Sequence, residues 1–472
     1  MSDCLQWSAA EIARQIRAQA VTVSEVVEAH ITRIEQVNPM INAVITPTFE
    51  QARQQAREAD ERIAQLGTDD LPPLFGVPVT IKDCWSVAGV RFTGGSSYHR
   101  DDIAEQDAEV VRRLKEAGAI ILGKTNLPDM CWSGETVNPV FGRTNNPHNV
   151  NYSAGGSSGG EGAIIAAGGS PLGIGSDIAG SVRIPAAMNG CVSIKPTAGR
   201  VPSGDHFPAP PPRLQDWNSA GPMARRIEDL ALALDVLSDT PLPDYRTIDL
   251  NGRRCLLYIN GNIKVFPPVR KSVSETVAMA AGSLKSVGMD VIRDESLPIQ
   301  ELVFTYVYLM SQHGNAAFKT ALGGGEKYKL WDEIQHIRKG QGRISASVLW
   351  FTQFIDLSAP TAHLFGRPTF ERVEQCKRQM SEAMGAGGVI LSPLLITPPP
   401  KHGWIYTIFT QIPYSNSINA LGFPSVIVPV GYNARGLPMA VQVIARPDED
   451  EVALAVAAQL EQQYGGWRMA QI

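Results

Sequence analysis

The chain has 472 residues, 44% hydrophobic and 19% charged, which supplies apolar material for a core and carries no signature of disorder. Its 42 Lys and Arg against 47 Asp and Glu leave a net charge of −5; a general phosphate-backbone binder, which needs a basic surplus or stripe, is excluded. The six cysteines are scattered and form no C-x-x-C pair, so neither a zinc ribbon nor a disulfide scaffold is supported and a reducing compartment is the simpler reading.

Taken in chain order, the first signals are two helix starts. Ser8 is followed by Glu11 and Thr22 by Glu25, each before an apolar periodic run, and both read as capping boxes. The second run, Val26, Val27, Ile31 and Ile34, ends near Asn38-Pro39, and a third helix is expected over 49–66. Residues 1–66 therefore read as helical packing ahead of the main domain. The opening residues have no basic segment followed by an apolar run, and no stretch approaches ~18 consecutive apolar residues. A cytoplasmic protein without signal peptide or membrane span is expected.

Strands are predicted at 77–81, 119–122, 255–259, 289–292, 389–391, 424–430 and 439–444, and helices at 108–117, 225–238, 269–286 and 451–464. Their alternation predicts an α/β fold: one large domain over 1–472, with a central mixed, mostly parallel sheet covered by helices on both faces. No long Ser/Gly or charged linker and no internal repeat interrupts it. Most of the chemistry-bearing glycine lies in a core spanning 70–200. The stretch 296–405 is expected to be a variable region covering one face.

Two short motifs are misleading. Gly118 to Thr125 satisfies G-x-x-x-x-G-K-[ST], but Ala119-Ile120-Ile121-Leu122 favours a buried strand where a phosphate loop must be open, and Asn126-Leu127-Pro128 blocks an immediate helix. Nucleotide binding is rejected. Gly155-Gly156-Ser157-Ser158-Gly159 satisfies G-x-S-x-G, but the segment before it is a poor core strand. None of the downstream histidines, His206, His313, His336, His363 and His402, stands in a recognisable catalytic context.

A longer pattern is more specific. Gly155 to Gly160 reads Gly-Gly-Ser-Ser-Gly-Gly and is followed by Gly175-Ser176-Asp177-Ile178-Ala179-Gly180-Ser181-Val182-Arg183-Ile184-Pro185, then Lys195-Pro196-Thr197. Upstream, Pro73 to Asp83 ends in Lys82-Asp83. Leu122 to Pro128, Phe141 to Pro147, Asn419 to Pro424 and Gly436 to Gln442 complete the ordered blocks. This arrangement resembles the amidase signature family, most closely its fatty-acid amide hydrolase branch, and covers nearly the whole chain with 296–405 matched only loosely.

The resemblance implies a cofactor-independent hydrolase of amide bonds, with no metal. It implies Ser181 as nucleophile, Ser157 as bridging serine after a cis Gly156–Ser157 bond, and Lys82 as base. Amide hydrolysis needs these parts: a nucleophile, a base for its proton, an acid for the leaving nitrogen, and donors for the oxyanion. Burial disfavours a lysine ammonium, which is how a lysine can act as base. The backbone at Ile178, Ala179, Gly180 and Ser181 is implied as the oxyanion hole, and many members have Gly-Gly where this chain has Ala179-Gly180. Cys131 and Trp132 are implied to line the acyl side of the cleft. Asp177 and Arg183 read as a buried ion pair shaping the nucleophile loop, and Ser158 as a hydrogen-bonding loop residue.

The expected partner is a small-molecule amide with a hydrophobic acyl or aryl group; nucleic acid is not expected and a homodimer is left open. Trp331, Trp350, Phe351 and Phe354 favour the apolar substrate. The competing readings are a glutamine-hydrolysing amidotransferase A-type subunit, which needs a polar pocket, and a non-catalytic binding protein on the same fold. A glutaminase assay separates the first, and reactivity toward a fluorophosphonate probe the second.

Overall fold

The computed structural model describes residues 3–260, 267–404 and 413–472. Of the expected variable region 296–405, residue 405 lies outside the described residues. The strands are β1 (Val44–Pro47), β2 (Pro78–Lys82), β3 (Ile120–Thr125), β4 (Val137–Asn138), β5 (Gly142–Arg143), β6 (Leu172–Asp177), β7 (Val192–Lys195), β8 (Ser219–Ala224), β9 (Arg254–Leu257), β10 (Asp290–Arg293), β11 (Val389–Ser392), β12 (Ser425–Tyr432) and β13 (Pro438–Ala445).

Eleven of these form one sheet in the order β1-β3-β2-β6-β8-β7-β12-β13-β11-β9-β10, and β4 with β5 make a separate ribbon. The sheet is mixed, as the sequence predicted. Parallel pairing occupies two blocks, β3–β2–β6 and β11–β9–β10. Between them the strands pair antiparallel. The antiparallel share is larger than the alternation of strands and helices suggested. One reason is local: β12 turns straight back into β13 through a tight turn closed by Asn433 N–H to the Leu437 carbonyl (2.9 Å), and so short a connection requires antiparallel neighbours. β2, β3 and β6 are buried along their whole length, as strands covered on both faces must be.

The N-terminal segment is not purely helical. Helices Ala9–Arg17, Val23–Ile41 and Phe49–Leu66 are present, but β1 lies between the last two and pairs antiparallel with β3 at the sheet edge. Four residues ending in proline gave too short an alternation to read. Thr22 makes a complete capping box with Glu25. Ser8 makes half of one: its hydroxyl accepts from the Glu11 amide (2.9 Å), while the Glu11 carboxylate turns forward to Arg14 and Gln15. The helix over Val23–Ile41 runs past Pro39 and stops at Asn42, which takes the left-handed conformation (φ 49°).

One continuous hydrophobic core joins the N-terminal helices, the sheet and the last helix, Asp450–Tyr464. Helices Ile299–His313, Asn315–Leu322, Leu330–Arg338, Ala346–Ser358 and Phe370–Met384 build the region beyond 296. No helix among the described residues is long and apolar enough to cross a membrane.

Candidate active site

β2 and β6 are parallel neighbours, and their C-terminal ends bring Lys82 and Ser176 together. Lys82 Nζ, fully buried, lies 2.7 Å from Ser157 Oγ and 2.9 Å from Ser176 Oγ. Its sequence neighbour Asp83 is turned elsewhere, to Lys124 Nζ at 2.7 Å, with both side chains buried. Asp83 also accepts from the Thr93 amide and hydroxyl (3.1 and 2.6 Å). Lys82 is therefore held by two hydroxyls and, among the described residues, by no carboxylate. Lys124, the lysine of the rejected phosphate-loop match, sits on a buried strand and is committed to Asp83.

Ser157 sits in the glycine-rich turn ahead of helix Gly159–Ala166, and the Gly156–Ser157 bond is cis. The glycines are needed for close approach. A Cβ at Gly156 would lie 2.7 Å from the Ser133 carbonyl oxygen, and one at Gly160 would lie 2.7 Å from the Asn126 carbonyl oxygen. Ser158 packs under the turn: its amide donates to the Ser181 carbonyl (3.0 Å) and its hydroxyl lies 3.4 Å from both the Ser176 carbonyl oxygen and amide nitrogen.

The loop from Asp177 to Arg183 carries Ser181. Arg183 Nε lies 3.0 Å from Asp177 Oδ2, and both side chains are fully buried. Burial would raise the Asp177 pKa, but the Arg183 charge and the hydrogen bonds from Arg183, Asn419 and Gly180 outweigh it and hold the carboxyl well below the usual range. The Gly180 amide is one of these donors, 2.6 Å from Asp177 Oδ1. Gly180 is thus committed to shaping the loop, which leaves the amides of Ile178, Ala179 and Ser181 without an acceptor among the described residues. The left-handed backbone angle falls at Gly180 (φ 113°) and not at Ala179, so the alanine imposes no strain. Arg183 also donates to Gln442 Oε1 (2.9 Å) and the Ser415 carbonyl (3.0 Å), and Asn419 Nδ2 donates to Asp177 Oδ1 (2.9 Å). Two C-terminal blocks of the sequence pattern meet the Ser181 loop here.

Ser157, Ser176 and Ser181 line one cavity with Met130, Cys131, Trp132, Ile178, His206 and Phe318. Trp132 stacks on Phe318 with ring centroids 3.8 Å apart and meets Phe351 edge-on at 5.1 Å. Of the four aromatics singled out from the sequence, Phe351 reaches Trp132; Trp331 and Trp350 are 72% and 42% exposed, because each falls on the outer face of its helix. Phe318 was missed, having no local feature to distinguish it from a core residue.

His206 was also missed. Its Nδ1 lies 2.8 Å from the Pro208 carbonyl, which can only accept, so in the neutral ring Nε2 is the acceptor; it lies 2.9 Å from Ser176 Oγ. Cys84 Sγ lies 3.5 Å from the same hydroxyl and Cys131 Sγ 3.9 Å from His206 Nε2. Cys131 has no charged sequence neighbour that would activate it, yet the fold surrounds it with such groups. Burial opposes its ionisation, but Cys84, Lys82 and His206 outweigh burial and hold the thiol well below its ordinary value; burial and then Cys131 push Cys84 well above.

A buried lysine between two serines, with a third serine on a loop where the amides of Ile178, Ala179 and Ser181 have no acceptor among the described residues, has the parts of a hydrolase site on an α/β sheet. The chain matches the Amidase family profile over residues 25–454. It belongs to that family and is an amidase, an enzyme that hydrolyses amide bonds. Human fatty-acid amide hydrolase 2 is 32% identical over 98% of this chain and 89% of its own. The indoleacetamide hydrolase of Bradyrhizobium diazoefficiens is 33% identical over 98% and 87%. Among solved structures, a 6-aminohexanoate cyclic dimer hydrolase complexed with substrate superposes with a TM-score of 0.81, at 26% identity and 99% coverage of both chains.

Proposed function

We propose that the chain hydrolyses small hydrophobic acyl or aryl amides through an acyl-enzyme on Ser181, with Lys82 as base and Ser157 as the proton relay between them. The observation that carries this reading is the 2.7 Å contact of Lys82 Nζ with Ser157 Oγ, in a cavity that Ser181 also lines. Ser181 Oγ attacks the carbonyl carbon while its proton passes to Ser157, whose own proton passes to Lys82. The amides of Ile178, Ala179 and Ser181 receive the developing oxyanion; one such donor is worth about 3–4 kcal/mol. Collapse breaks the C–N bond, and the relay runs in reverse to protonate the leaving nitrogen. Water then cleaves the ester by the same route. Ser176 and His206 position Lys82 without touching the substrate's reacting atoms. Asp177 and Arg183 hold the loop.

Alanine at Ser181, Ser157 or Lys82 is expected to cost most of the activity, with Ser181→Ala losing at least ~10³-fold and the double variants no worse than the worst single one, because the three act as a unit. Steady-state kinetics on purified variants check this; near-wild-type turnover by Ser181→Ala overturns the assignment. The apolar lining by Met130, Trp132, Ile178 and Phe318 supports the substrate class, as do the names of the two relatives above. A series of primary amides from acetyl to about dodecanoyl should gain up to about fourfold in kcat/KM per buried methylene until the pocket is full. A flat profile, or a best rate with glutamine, overturns that part.

A further inference from the structure

Cys84, Cys131 and His206 come from three distant places: the residue pair after β2, the short turn Asp129–Cys131, and the loop before the cis Phe207–Pro208 bond. Their two Sγ atoms and one imidazole nitrogen all lie within 4.8 Å of one another, and all three residues are buried. A tetrahedral ion with sulfur at ~2.3 Å and nitrogen at ~2.0 Å holds its ligand atoms roughly 3.5–4 Å apart, so the 3.9 Å separation of Cys131 Sγ and His206 Nε2 already has that spacing. His206 is oriented as metal-binding histidines are: Nδ1–H is tied to the Pro208 carbonyl (2.8 Å), which leaves the Nε2 lone pair facing the cluster. Met130 and Cys131 are consecutive non-glycine residues in the left-handed region (φ 52° and 61°), a backbone choice that residues adopt only where the surroundings hold it. It brings the Cys131 thiol against His206.

We propose that Cys84, Cys131 and His206 are a binding site for a soft cation of the Zn²⁺ or Cu⁺ type, adjoining the amide-hydrolysing site. Two sulfurs and one imidazole suit such an ion, with a fourth position open toward the cavity. Uptake of Zn²⁺ displaces whatever protons the two thiols still carry, and the two thiolates cancel its charge, so a buried and electrically neutral complex forms beside Lys82. No electron is transferred. His206 Nε2 must exchange its contact with Ser176 Oγ for the ion, and Ser176 is one of the two hydroxyls that hold Lys82. Occupancy should therefore depress turnover. That consequence rests on the relay proposed above; uptake does not.

The test titrates the reduced full-length protein with Zn²⁺ against a chromophoric chelator and with Co²⁺ by absorption. One ion per chain is expected, with intense sulfur-to-cobalt charge transfer in the near ultraviolet. Cys84→Ser and Cys131→Ser should each weaken binding by at least about 100-fold, the upper end of what a lost outer-shell partner costs. Cys376→Ser, in the helix Phe370–Met384, should change nothing. X-ray absorption on the Zn²⁺-loaded wild type, expected to give two sulfurs and a nitrogen in the first shell, decides the matter even if a variant fails to fold. No stoichiometric uptake, uptake unchanged in Cys84→Ser, or a Cys84–Cys131 disulfide in place of bound ion overturns the proposal. Stoichiometric uptake on these ligands with turnover unchanged upholds the cation site and counts against the relay through Lys82.

Discussion

Lys82 and Asp83 are adjacent in sequence and have opposite surroundings. Asp83 is matched by Lys124, and Lys82, among the described residues, by hydroxyls; successive residues leaving a strand project to opposite sides. A second fully buried pair, Asp177 with Arg183, is a predicted weak point. Arg183→Met removes the guanidinium and leaves a carboxylate without its charge partner, which should cost about 3–5 kcal/mol in urea unfolding at neutral pH. Because the folded pKa of Asp177 is depressed, its contribution is present above the unfolded carboxylate value and is lost as pH falls toward the folded one. Glu161 behaves oppositely. Burial pushes its carboxyl up to about 8, against the hydrogen bonds from Thr80 and Thr125 (2.6 and 2.8 Å). Folded protein then keeps a proton that the unfolded chain releases above about pH 4.3, so this group costs stability as pH rises from there to about 8, by up to ~1.4 kcal/mol per unit. Comparing wild type with Glu161→Gln at pH 5.5 and 7.5 should show the wild type losing ground to the variant at the higher pH; parallel behaviour refutes the protonated carboxyl.

At the scale of elements, the helix starts and the glycine-rich turn make separate demands. Thr22→Ala removes a side-chain acceptor at a complete capping box and should cost about 1 kcal/mol, read as a shift in the urea midpoint. Gly160→Ala is a harsher change for a different reason. Its φ is not the constraint; the new methyl would press on the backbone at Asn126 and Ala43, and overpacking of this kind typically costs about 1–3 kcal/mol. The same movement displaces Ser157 three residues earlier, so activity should fall more than stability alone accounts for. The elements that the sequence predicted lie close to the observed ones, including the helix Phe49–Leu66 and strands β2 and β11, because a long periodic run or a short β-branched run is set by local contacts; β6, β7 and β8, at the middle of the sheet, were not predicted. β1 was not legible, since its four residues become a strand only by pairing with β3.

At the scale of the molecule, the segment beyond 296 is bound to the sheet-borne site by contacts that include three besides the Phe351 edge on Trp132. Phe318 stacks on Trp132, the Tyr306 hydroxyl donates to the Ile178 carbonyl (2.9 Å), and the Ser345 amide donates to Asp129 Oδ2 (2.6 Å). Phe318→Ala removes an apolar wall of the cavity while leaving the serines and Lys82 in place. It should lower kcat/KM for aryl and medium-chain amides by about tenfold, the equivalent of the ~1.5 kcal/mol that a buried aromatic contact supplies, with little change for acetamide. An equal loss for every amide would assign Phe318 to loop support and not to the acyl wall.

The sequence by itself determined the family, the α/β class and the candidate residues Lys82, Ser157 and Ser181, because those depend on ordered motifs whose glycines and small residues let backbones approach closely. Only the tertiary structure decided which groups meet. It joined Asp83 to Lys124, closed Arg183 against Asn419 and Gln442, committed the Gly180 amide to Asp177, and gathered Cys84, Cys131 and His206 around Ser176. Most of these pairings link residues tens to hundreds of positions apart, and no local spacing encodes a contact that exists only when strands from separate parts of the chain lie side by side.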